Sequence, residues 1–427
     1  MLDLKKIRKD FVMLDGKHKM QGKPLVYLDN AATTFKPKVV LEAIAHYHND
    51  ITANPHRGDY DLSHQSSDAF EGSRKKVAKF LNAKPEEVIF TSGASQALNI
   101  VAYALGETLK KGDEVLLTEA EHASNVLPWY KVAETVGIVI KFIPLNKEGK
   151  ITVKELKETI TKKTKVISIA HVTNVLGHVI DIKAITKEAH KHGIIVAVDG
   201  AQSVPRIKTD VKDWDIDFLS FGGHKVCGPT GIGALYGKYE LLEKLSPLMM
   251  GGGMNSRFDT CGEYQLLKPP HKFEAGTPNV EGAMGLAAAV EYLEKIGMDN
   301  IQAHEEALMK YAVKRMKAEV KDIIIYNETA TAGVLTFNYK NIFAQDAATH
   351  FNSYGIAVRA GQHCAKILLD YLKAPATIRM SVAFYNTFEE IDKFIEVAKK
   401  AGDYLDAYFK WSKVNAPSDN GPLSISA

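Results

Sequence analysis

Short apolar runs rich in valine and isoleucine alternate with segments of helical periodicity through the first half of the chain. Continuous apolar runs of this length are typical of strands buried on both faces, with helices between them that cover those faces. The pattern therefore predicts an α/β fold with a mainly parallel sheet. Its six predicted strands span residues 87–90, 115–117, 138–143, 166–170, 194–198 and 218–221.

One helix is predicted directly after the first of these strands. Leu98, Val101, Ala102 and Leu105 recur at the spacing of one helix face shortly after Gly93. The N-terminus of this helix therefore faces the end of the strand.

The pattern changes after residue 282, where a helical stretch is followed by short strands at 334–337, 356–358 and 377–382. The spacing of Ile391, Phe394, Ile395 and Ala398 predicts an amphipathic helix that closes this part of the chain. We interpret it as a second, smaller unit of mixed helices and strands.

The length of 427 residues exceeds what one hydrophobic core usually supports. We expect an N-terminal segment, a large domain, a small α+β C-terminal domain and a disordered tail that is rich in turn formers. The segment, which packs on the small domain, covers residues 1–24, and the other three parts cover 25–282, 283–412 and 413–427.

The charge pattern gives no indication of a nucleic-acid or membrane partner. The formal net charge is +3, and the lysines and arginines are scattered rather than clustered. The first residues mix charges into every turn, unlike a signal peptide or a membrane span. We expect a cytoplasmic protein that acts on a small molecule.

Three cysteines occur, at Cys227, Cys261 and Cys364. Their wide spacing does not suit a zinc cluster, and their odd number argues against a disulfide scaffold. We therefore expect no metal site, and a reducing cytosol in which a free thiol can react.

A lysine lies among glycines immediately after the predicted strand 218–221. The stretch FGGHKVCGPTGIG places Lys225 beside His224, and glycine allows the backbone to approach a ligand closely. A half-buried amine is easily made neutral and can then attack an aldehyde. A lysine on a surface loop is the alternative interpretation.

An acid ends the preceding predicted strand, in the stretch IIVAVDGAQS that contains Asp199 and Gln202. A pyridinium nitrogen would be a suitable partner for this carboxylate, because the protonated ring then accepts electrons from a substrate carbanion. Asp199 and Lys225 would lie at the carboxyl ends of adjacent strands, where open α/β sheets bind ligands. Alternatively, Asp199 only caps the next helix.

Two further stretches supply candidate ligand contacts. TSGAS, which ends at Ser95, provides hydroxyls and backbone donors at the N-terminus of the predicted helix, where a phosphate would bind. His122 follows another predicted strand and would be able to stack on a flat ring, although a single histidine is more often an ordinary polar residue.

Ten stretches together resemble the cysteine desulfurases of the SufS group, within the class V aminotransferase family. They are YLDNAAT from Tyr27, HRG from His56, TSGASQALN from Thr91, EHASN from Glu121, HVTNVLG from His171, VDGAQS from Val198, GHK from Gly223, FEAGTPN from Phe273, RAGQHCA from Arg359 and IRMSVAFYNT from Ile378. The resemblance covers nearly the whole chain. It implies a fold-type-I pyridoxal 5′-phosphate transferase with a mainly parallel seven-stranded sheet in its large, cofactor-binding domain.

The resemblance also implies roles around the cofactor ring. Lys225 would carry pyridoxal phosphate on its amine and move protons, and Asp199 would pair with the ring nitrogen. Gln202 would bind the ring oxygen, and His122 would stack on the ring and take part in catalysis.

The cofactor phosphate would be held by Ser95 with Ala94 beside it, by His224, and by Thr277 from the second subunit of a homodimer. The carboxylate of the substrate would be bound by Arg379, whose planar guanidinium grips a carboxylate at two points, and by Asn174. Arg359 and Ala31 would complete the substrate site.

Cys364 would be the sulfur acceptor. The resemblance implies that L-cysteine is converted to L-alanine and that its sulfur is captured as a persulfide on Cys364, for iron–sulfur cluster assembly. Arg359 and the adjacent His363 favour a thiolate there, whereas Cys227 and Cys261 are expected to be inert. The short loop around Cys364 implies a partner that unloads the persulfide, a SufE-like or SufU-like protein.

Three positions depart from the pattern of the group. Ala94 and Ser95 stand where a threonine-rich pair is common, and Gly222 stands where a serine usually contacts the phosphate. Gln362 replaces a histidine next to His363. We expect weaker cofactor binding and slower turnover from these changes.

Two other functions remain open at this point. One is a selenocysteine lyase or another class V enzyme with the same lysine and acid. The other is a sulfur-transfer scaffold that no longer catalyses a reaction.

Overall fold

A computed structural model describes residues 2–401, and the N-terminal segment contacts the far end of this range. The segment contains α1 (Leu4–Lys9), β1 (Lys19–Met20) and β2 (Lys23–Pro24), and β3 (Val26–Tyr27) directly follows it. Phe11 is buried and packs edge-on against Phe384. Arg8 donates from Nη1 to the carbonyl oxygen of Tyr385, 377 positions away, and forms an ion pair with Glu390.

Seven strands form the central sheet. They are β4 (Val88–Thr91), β5 (Glu114–Thr118), β6 (Val139–Ile143), β7 (Thr164–Ala170), β8 (Ile195–Asp199), β9 (Phe218–Gly222) and β10 (Gly233–Gly237). Their order is β4-β10-β9-β8-β7-β5-β6, and the five strands from β9 to β6 are parallel. The predicted mainly parallel seven-stranded sheet is confirmed.

Strand β10 runs antiparallel to both of its neighbours, β9 and β4. The apolar pattern does not predict it, because it is short and has glycine at both ends. Gly233 pairs with Gly222 at the end of β9 and with Thr91 at the end of β4. A Cβ atom on Gly233 would lie 2.5 Å from the carbonyl oxygen of Phe221 and 2.6 Å from Cα of Gly93, so only glycine fits.

Successive strand residues enter two different hydrophobic clusters, so both faces of the sheet are covered. Leu116 and Val196 belong to one cluster, and Leu117 and Ala197 belong to the other. The helices of this part are α2 (Lys38–Asp50), α3 (Asp61–Leu81), α4 (Ala94–Gly106), α5 (Ala123–Val136), α6 (Val153–Thr159), α7 (Ile182–His190), α8 (Val211–Trp214) and α9 (Tyr239–Leu242). The helix predicted after the first strand is α4, and all four of its predicted core residues are buried.

A hairpin of β11 (Asn255–Phe258) and β12 (Tyr264–Leu266) carries exposed apolar side chains. Phe258 is 75% exposed and Tyr264 is 63% exposed. Met249 and Met250, shortly before the hairpin, are also exposed. Apolar groups clustered in this way are typical of a surface that a partner covers.

The C-terminal part has its own four-stranded sheet, in the order β13-β14-β17-β16. Its elements are α10 (Val280–Ile296), α11 (Met298–Glu319), β13 (Ile323–Ile325), β14 (Val334–Tyr339), α12 (Ala344–Ser353), β15 (Ile356–Ala357), β16 (Arg359–Gly361), α13 (Lys366–Tyr371), β17 (Thr377–Ser381) and α14 (Phe388–Ala398). The four residues predicted to form the core face of the last helix are all buried in α14.

The strand predicted at 356–358 is β15, and a second strand that the sequence does not predict, β16, follows it at Arg359 in a different sheet. Strand β15 pairs in parallel with β3, whereas β16 pairs with β17. The predicted division at residue 282 falls within the first turn of α10, which packs on α2 and α3. The domain boundaries stay predictions, and the predicted tail lies outside the described residues.

Among residues 2–401, no helix is both long enough and apolar enough to cross a lipid bilayer.

Candidate active site

A cavity of about 340 Å³ opens at the carboxyl ends of β7, β8 and β9. Every site residue predicted from the sequence lines it, except Thr277. The predicted residues that it brings together are Ala31, Ala94, Ser95, His122, Asn174, Asp199, Gln202, His224, Lys225, Arg359, Cys364 and Arg379.

Lys225 follows β9 in a single tight turn, Gly223–Lys225. Lys225 is half-buried in the wall of the cavity, and desolvation lowers its pKa to about 8 although Asp199 acts in the opposite direction. Near neutral pH a sizeable fraction of the amine is therefore unprotonated and able to act as a nucleophile or base. The alternative of a surface-loop lysine is wrong.

Asp199 is the last residue of β8 and is buried. Its Oδ1 accepts a hydrogen bond from the N–H of Ala201 at 2.9 Å. In the described chain, turns follow Asp199, and the next helix, α8, begins only after its N-cap residue Asp210. The helix-cap alternative for Asp199 is therefore wrong, and its carboxylate faces the cavity beside Lys225.

His122 is the N-cap residue of α5, and its Nδ1 accepts a hydrogen bond from the N–H of Ser124. Burial lowers the pKa of His122, so the ring is neutral. Because Nδ1 is an acceptor, the single ring proton lies on Nε2.

The N-terminus of α4 forms one end of the cavity. Ser95 Oγ lies 2.8 Å from Ser124 Oγ, so a second hydroxyl stands beside the predicted one. Ser124 was not among the predicted site residues, although the stretch EHASN contains it.

Gly222 leaves room for the ring of His224. A Cβ atom on Gly222 would lie 3.2 Å from Nδ1 of His224 and 3.4 Å from the backbone nitrogen of Ala94. Burial lowers the pKa of His224 to about 4, and its neutral ring lines the cavity. A side chain at position 222 would therefore be in tight contact with His224.

Two arginines of the cavity wall share one acid, Asp29. Asp29 places Oδ1 3.3 Å from Nη2 of Arg379 and Oδ2 3.3 Å from Nε of Arg359. Burial lowers the pKa of Arg379 to about 10, which leaves it charged at neutral pH. Sequence reasoning missed Asp29, although it lies in the stretch YLDNAAT.

Two buried polar atoms of this wall lack a hydrogen-bond partner in the described range 2–401. They are Nε of Arg379 and Oδ1 of Asn174. Their other atoms are engaged, because Arg379 Nη1 donates to the carbonyl oxygen of Asn174 and Asn174 Nδ2 donates to that of His363. An unpartnered donor of this kind suits an anionic ligand.

Cys364 lies on a strained loop at the cavity wall. Both His363 and Cys364 have positive φ values, 52° and 55°, which are costly for residues other than glycine. The carbonyl oxygen of Cys364 accepts from the N–H of Ala123 at 2.7 Å, and Nε2 of His363 lies 3.0 Å from Oγ1 of Thr377. The Cys364 side chain is exposed.

The predicted electrostatic role of His363 is wrong. Burial, together with the charge of Arg379, lowers the pKa of His363 to about 3. A neutral imidazole does not favour a thiolate on Cys364 by its charge. His363 instead holds the backbone of the loop in place.

The remaining predicted residues lie elsewhere. Gln362 lines a separate surface cavity with Lys366 and Lys373. Cys227 is buried, which raises the pKa of its thiol to about 12, as expected for an inert cysteine. Thr277 does not line the active-site cavity but lines two others, one beside Arg57 and one that shares Ser92 and Gln96 with the active-site cavity.

This sheet, with a lysine and an acid at the carboxyl ends of adjacent strands, has the architecture of the fold-type-I class of pyridoxal phosphate proteins. A family model described as aminotransferase class-V matches residues 26–394, and the chain belongs to that family. The family predicted from the sequence is confirmed.

The chain is similar to several cysteine desulfurases. A relative from Halalkalibacterium halodurans, named "Probable cysteine desulfurase", is 44% identical over 94% of this chain and 99% of its own length. The apo structure of a cysteine desulfurase from Thermococcus onnurineus NA1 has a TM-score of 0.88 and is 36% identical, over 94% of this chain and 98% of that one. The structure of the Escherichia coli cysteine desulfurase CsdA has a TM-score of 0.87 and is 34% identical, over 95% and 99%.

Proposed function

We propose that this chain is a pyridoxal phosphate-dependent cysteine desulfurase that converts L-cysteine to L-alanine and takes the sulfur as a persulfide on Cys364. The observation that carries the proposal is that one cavity contains the amine of Lys225, the carboxylate of Asp199 and Cys364. The similar proteins named cysteine desulfurase support it.

The residues present fit pyridoxal phosphate. Asp199 would hold the ring nitrogen and Gln202 the ring oxygen, while Lys225 would bind the aldehyde carbon. Ser95 and the N-terminus of α4 would hold the phosphate, with His224 beside them. When bound, the cofactor supplies a ring that withdraws electrons from the substrate Cα.

Arg379 and Asn174 would bind the substrate carboxylate. The free Nε of Arg379 is a donor for one carboxylate oxygen, and the guanidinium is already charged and fixed by Asp29. A carboxylate held there would bring the Cα of the substrate toward Lys225, which lines the same cavity.

Lys225 would remove the proton from the substrate Cα. Its pKa of about 8 leaves enough neutral amine near physiological pH for Nζ to accept that proton. The same Nζ would later return a proton, so one residue serves both directions of transfer.

The thiolate of Cys364 would attack the sulfur of the substrate. A bond forms between the two sulfur atoms while the Cβ–S bond of the substrate breaks, and the electron pair of that bond stays on Cβ. Protonation of Cβ and return of a proton to Cα complete alanine, and the sulfur remains as Cys364–S–SH. The strained and tethered loop holds the thiol against the cavity and makes the attack intramolecular.

The active enzyme would be a homodimer with its site at the subunit interface. Thr277 does not reach the cavity of its own chain, and the β11–β12 hairpin exposes the large apolar side chains of Phe258 and Tyr264. A second subunit that covers this surface would carry Thr277 to the phosphate end of the partner's cavity.

The persulfide would pass to a sulfur-acceptor protein, SufE-like or SufU-like, for iron–sulfur cluster assembly. The exposed Cys364 side chain supports transfer to another protein. All three cysteines are free, which supports a place in the reducing cytoplasm.

The test is incubation of the protein, reconstituted with pyridoxal phosphate, with L-cysteine and separately with selenocysteine. We expect alanine release from cysteine and the mass of one added sulfur atom on the peptide that contains Cys364. The replacement Lys225→Ala should abolish alanine release and the added sulfur mass. Borohydride should then no longer fix the cofactor to the protein.

The variant Cys364→Ser should keep the visible absorbance of the cofactor and lose alanine release from cysteine, whereas Cys261→Ser should keep both. Undiminished release from Cys364→Ser would contradict the role of Cys364. Release from selenocysteine alone would favour a selenocysteine lyase, and no release with intact absorbance would favour a scaffold.

A further inference from the structure

A buried ion pair joins the turn after β8 to helix α11. Nε of Arg206 lies 3.0 Å from Oε2 of Glu305, and the two side chains are 3% and 2% exposed. The contact is ionic rather than a well-aligned hydrogen bond. Burying two charges costs desolvation that their attraction only partly offsets, so stability alone does not account for the pair.

Arg206 also reaches a residue of the cavity. Its Nη1 donates to Oε1 of Gln202 at 3.0 Å and to the carbonyl oxygen of Gln202 at 3.1 Å. At the other end of the amide, Nε2 of Gln202 donates to the carbonyl oxygen of Ala31 at 2.8 Å. All of these groups are buried.

A guanidinium has donors and no acceptor. The amide oxygen of Gln202 must therefore face Arg206, and the amide nitrogen must face Ala31 and the cavity. Nε2 carries two hydrogens, of which one is used by Ala31. The second is a donor for a ligand, because Gln202 lines the cavity.

We propose that Arg206, held by Glu305, is a positioning residue that fixes the amide of Gln202 with an N–H toward the cavity. The inference rests on the proposed function, in which Gln202 binds the ring oxygen of pyridoxal phosphate. A flipped amide would present Oε1 to that oxygen, and the two acceptors would repel each other.

Glu305 makes the arrangement possible, because an unpaired guanidinium at this depth is strongly unfavourable. Glu305 lies on α11, whereas Gln202 follows β8 of the central sheet. Arg206 Nη2 also faces the carbonyl oxygen of Val382, just after β17. Elements of the C-terminal part thus orient a donor of the cofactor site.

The test replaces the whole pair, so that no single charge is left buried. The variant Arg206→Met with Glu305→Gln is made in the natural background and in Gln202→Leu. The dissociation constant and visible absorbance maximum of pyridoxal phosphate are measured for all four proteins, with apo-protein melting as a check of folding.

In the natural background we expect about tenfold weaker cofactor binding and a shifted absorbance maximum, the effect of one lost hydrogen bond to a charged oxygen. In the Gln202→Leu background the same replacement should change neither quantity, because the pair acts through Gln202. Equal weakening in both backgrounds, or no change in either, would overturn the proposal.

A second variant covers the case in which the double replacement does not fold. Lysine also has donors and no acceptor, so Arg206→Lys should keep the absorbance maximum and bind the cofactor within about threefold of the natural protein. A folded Arg206→Lys protein that loses the natural absorbance maximum would overturn the proposal. Failure of the natural protein to bind pyridoxal phosphate would instead overturn the proposed function.

Discussion

At the scale of single residues, the cavity shows which side chains act by charge and which act by position. Lys225 and Arg379 lie deep in the same space, and burial lowers the pKa of each, yet only the lysine is brought near neutrality. His363 is neutral and tethers a loop. Residue type alone does not separate these roles, because each depends on burial and on the neighbours.

Asp29 is expected to set the affinity for cysteine. The variant Asp29→Asn removes the negative charge between Arg359 and Arg379. The two guanidiniums then repel each other, and this repulsion displaces them from their present positions. We expect KM for cysteine to rise about fivefold, equivalent to about 1 kcal/mol, with kcat changed less than about twofold.

Steady-state kinetics of alanine release measure this effect. Asp213→Asn is the matched control, because Asp213 pairs with Lys183 on an exposed surface outside the cavity. Equal KM values for the two variants would show that Asp29 does not position the arginines.

The three cysteines should differ in reactivity. Cys227 is buried and its thiol has a raised pKa of about 12, whereas Cys364 is exposed and so is Cys261, which the sequence alone predicts to be inert. We expect iodoacetamide to label the exposed pair at least about a hundredfold faster than Cys227 in the folded protein. Peptide mass spectrometry after timed labelling measures the rates, and urea-unfolded protein, in which all three should react alike, is the control. Fast labelling of Cys227 in the native protein would contradict its burial.

At the scale of elements, the loop between β16 and α13 illustrates how tertiary contacts impose a costly backbone conformation. Two successive non-glycine residues, His363 and Cys364, have positive φ values. Bonds to Ala123, Asn174 and Thr377 hold them there, from α5, from the turn after β7 and from β17. The loop therefore depends on three elements that are distant in sequence.

Replacing the tether should slow turnover without changing its pH dependence. His363→Asn keeps the positive φ, which asparagine tolerates, and removes the Nε2 contact with Thr377. We expect kcat to fall several-fold with an unchanged shape of the kcat profile between about pH 6 and 9, because His363 is neutral throughout that range.

Gln362→Asn is the neighbouring control, since Gln362 lines a different cavity, and it should keep the natural kcat. A profile that shifts in His363→Asn would mean that this imidazole titrates during turnover.

The sequence predicts an element best where a single pattern of apolar residues determines whether it is a strand or a helix. The buried parallel strands and α4 follow from continuous or one-face apolar residues. Strand β10 has no such pattern, and its place between β4 and β9 is set by its partners. Strand β16 is likewise not predicted, because it is only three residues long and directly follows β15, which pairs with β3 in another sheet.

The site residues divide in the same way. Lys225, Asp199 and Cys364 stand in short characteristic stretches, and the structure brings them together. The pairing of Arg206 with Glu305 joins positions 99 residues apart, and no local pattern indicates it. Such a contact depends on how helix α11 packs against the turn after β8.

At the scale of the whole molecule, buried histidines make the fold sensitive to acid. Burial lowers the pKa of His171 to about 4, below its usual value. The unfolded chain then binds more protons than the folded chain between about pH 6.5 and pH 4. The contribution of His171 to stability is therefore complete above about pH 6.5 and is lost as the pH falls toward 4.

We expect His171→Gln to reduce the pH dependence of the free energy of unfolding by up to about 1.4 kcal/mol per pH unit in this window. Urea unfolding of the apo-protein at pH 7 and pH 5 measures it. Glu121 acts in the opposite direction, since burial raises its pKa to about 7, but it is present in both proteins and its effect cancels. The control is His48→Gln at an exposed position. It should leave the pH dependence of the free energy of unfolding unchanged. An identical slope for His171→Gln and the natural protein would contradict the prediction.

The single hydrogen atom that Gly233 carries in place of a side chain lets β10 close against the ends of β4 and β9. The turn with the reactive amine and the turn that opens α4 are held together at that contact. Codon 233 therefore has no neutral alternative. A library that encodes all amino acids at position 233, grown under selection for the activity of this enzyme, should therefore return only glycine there.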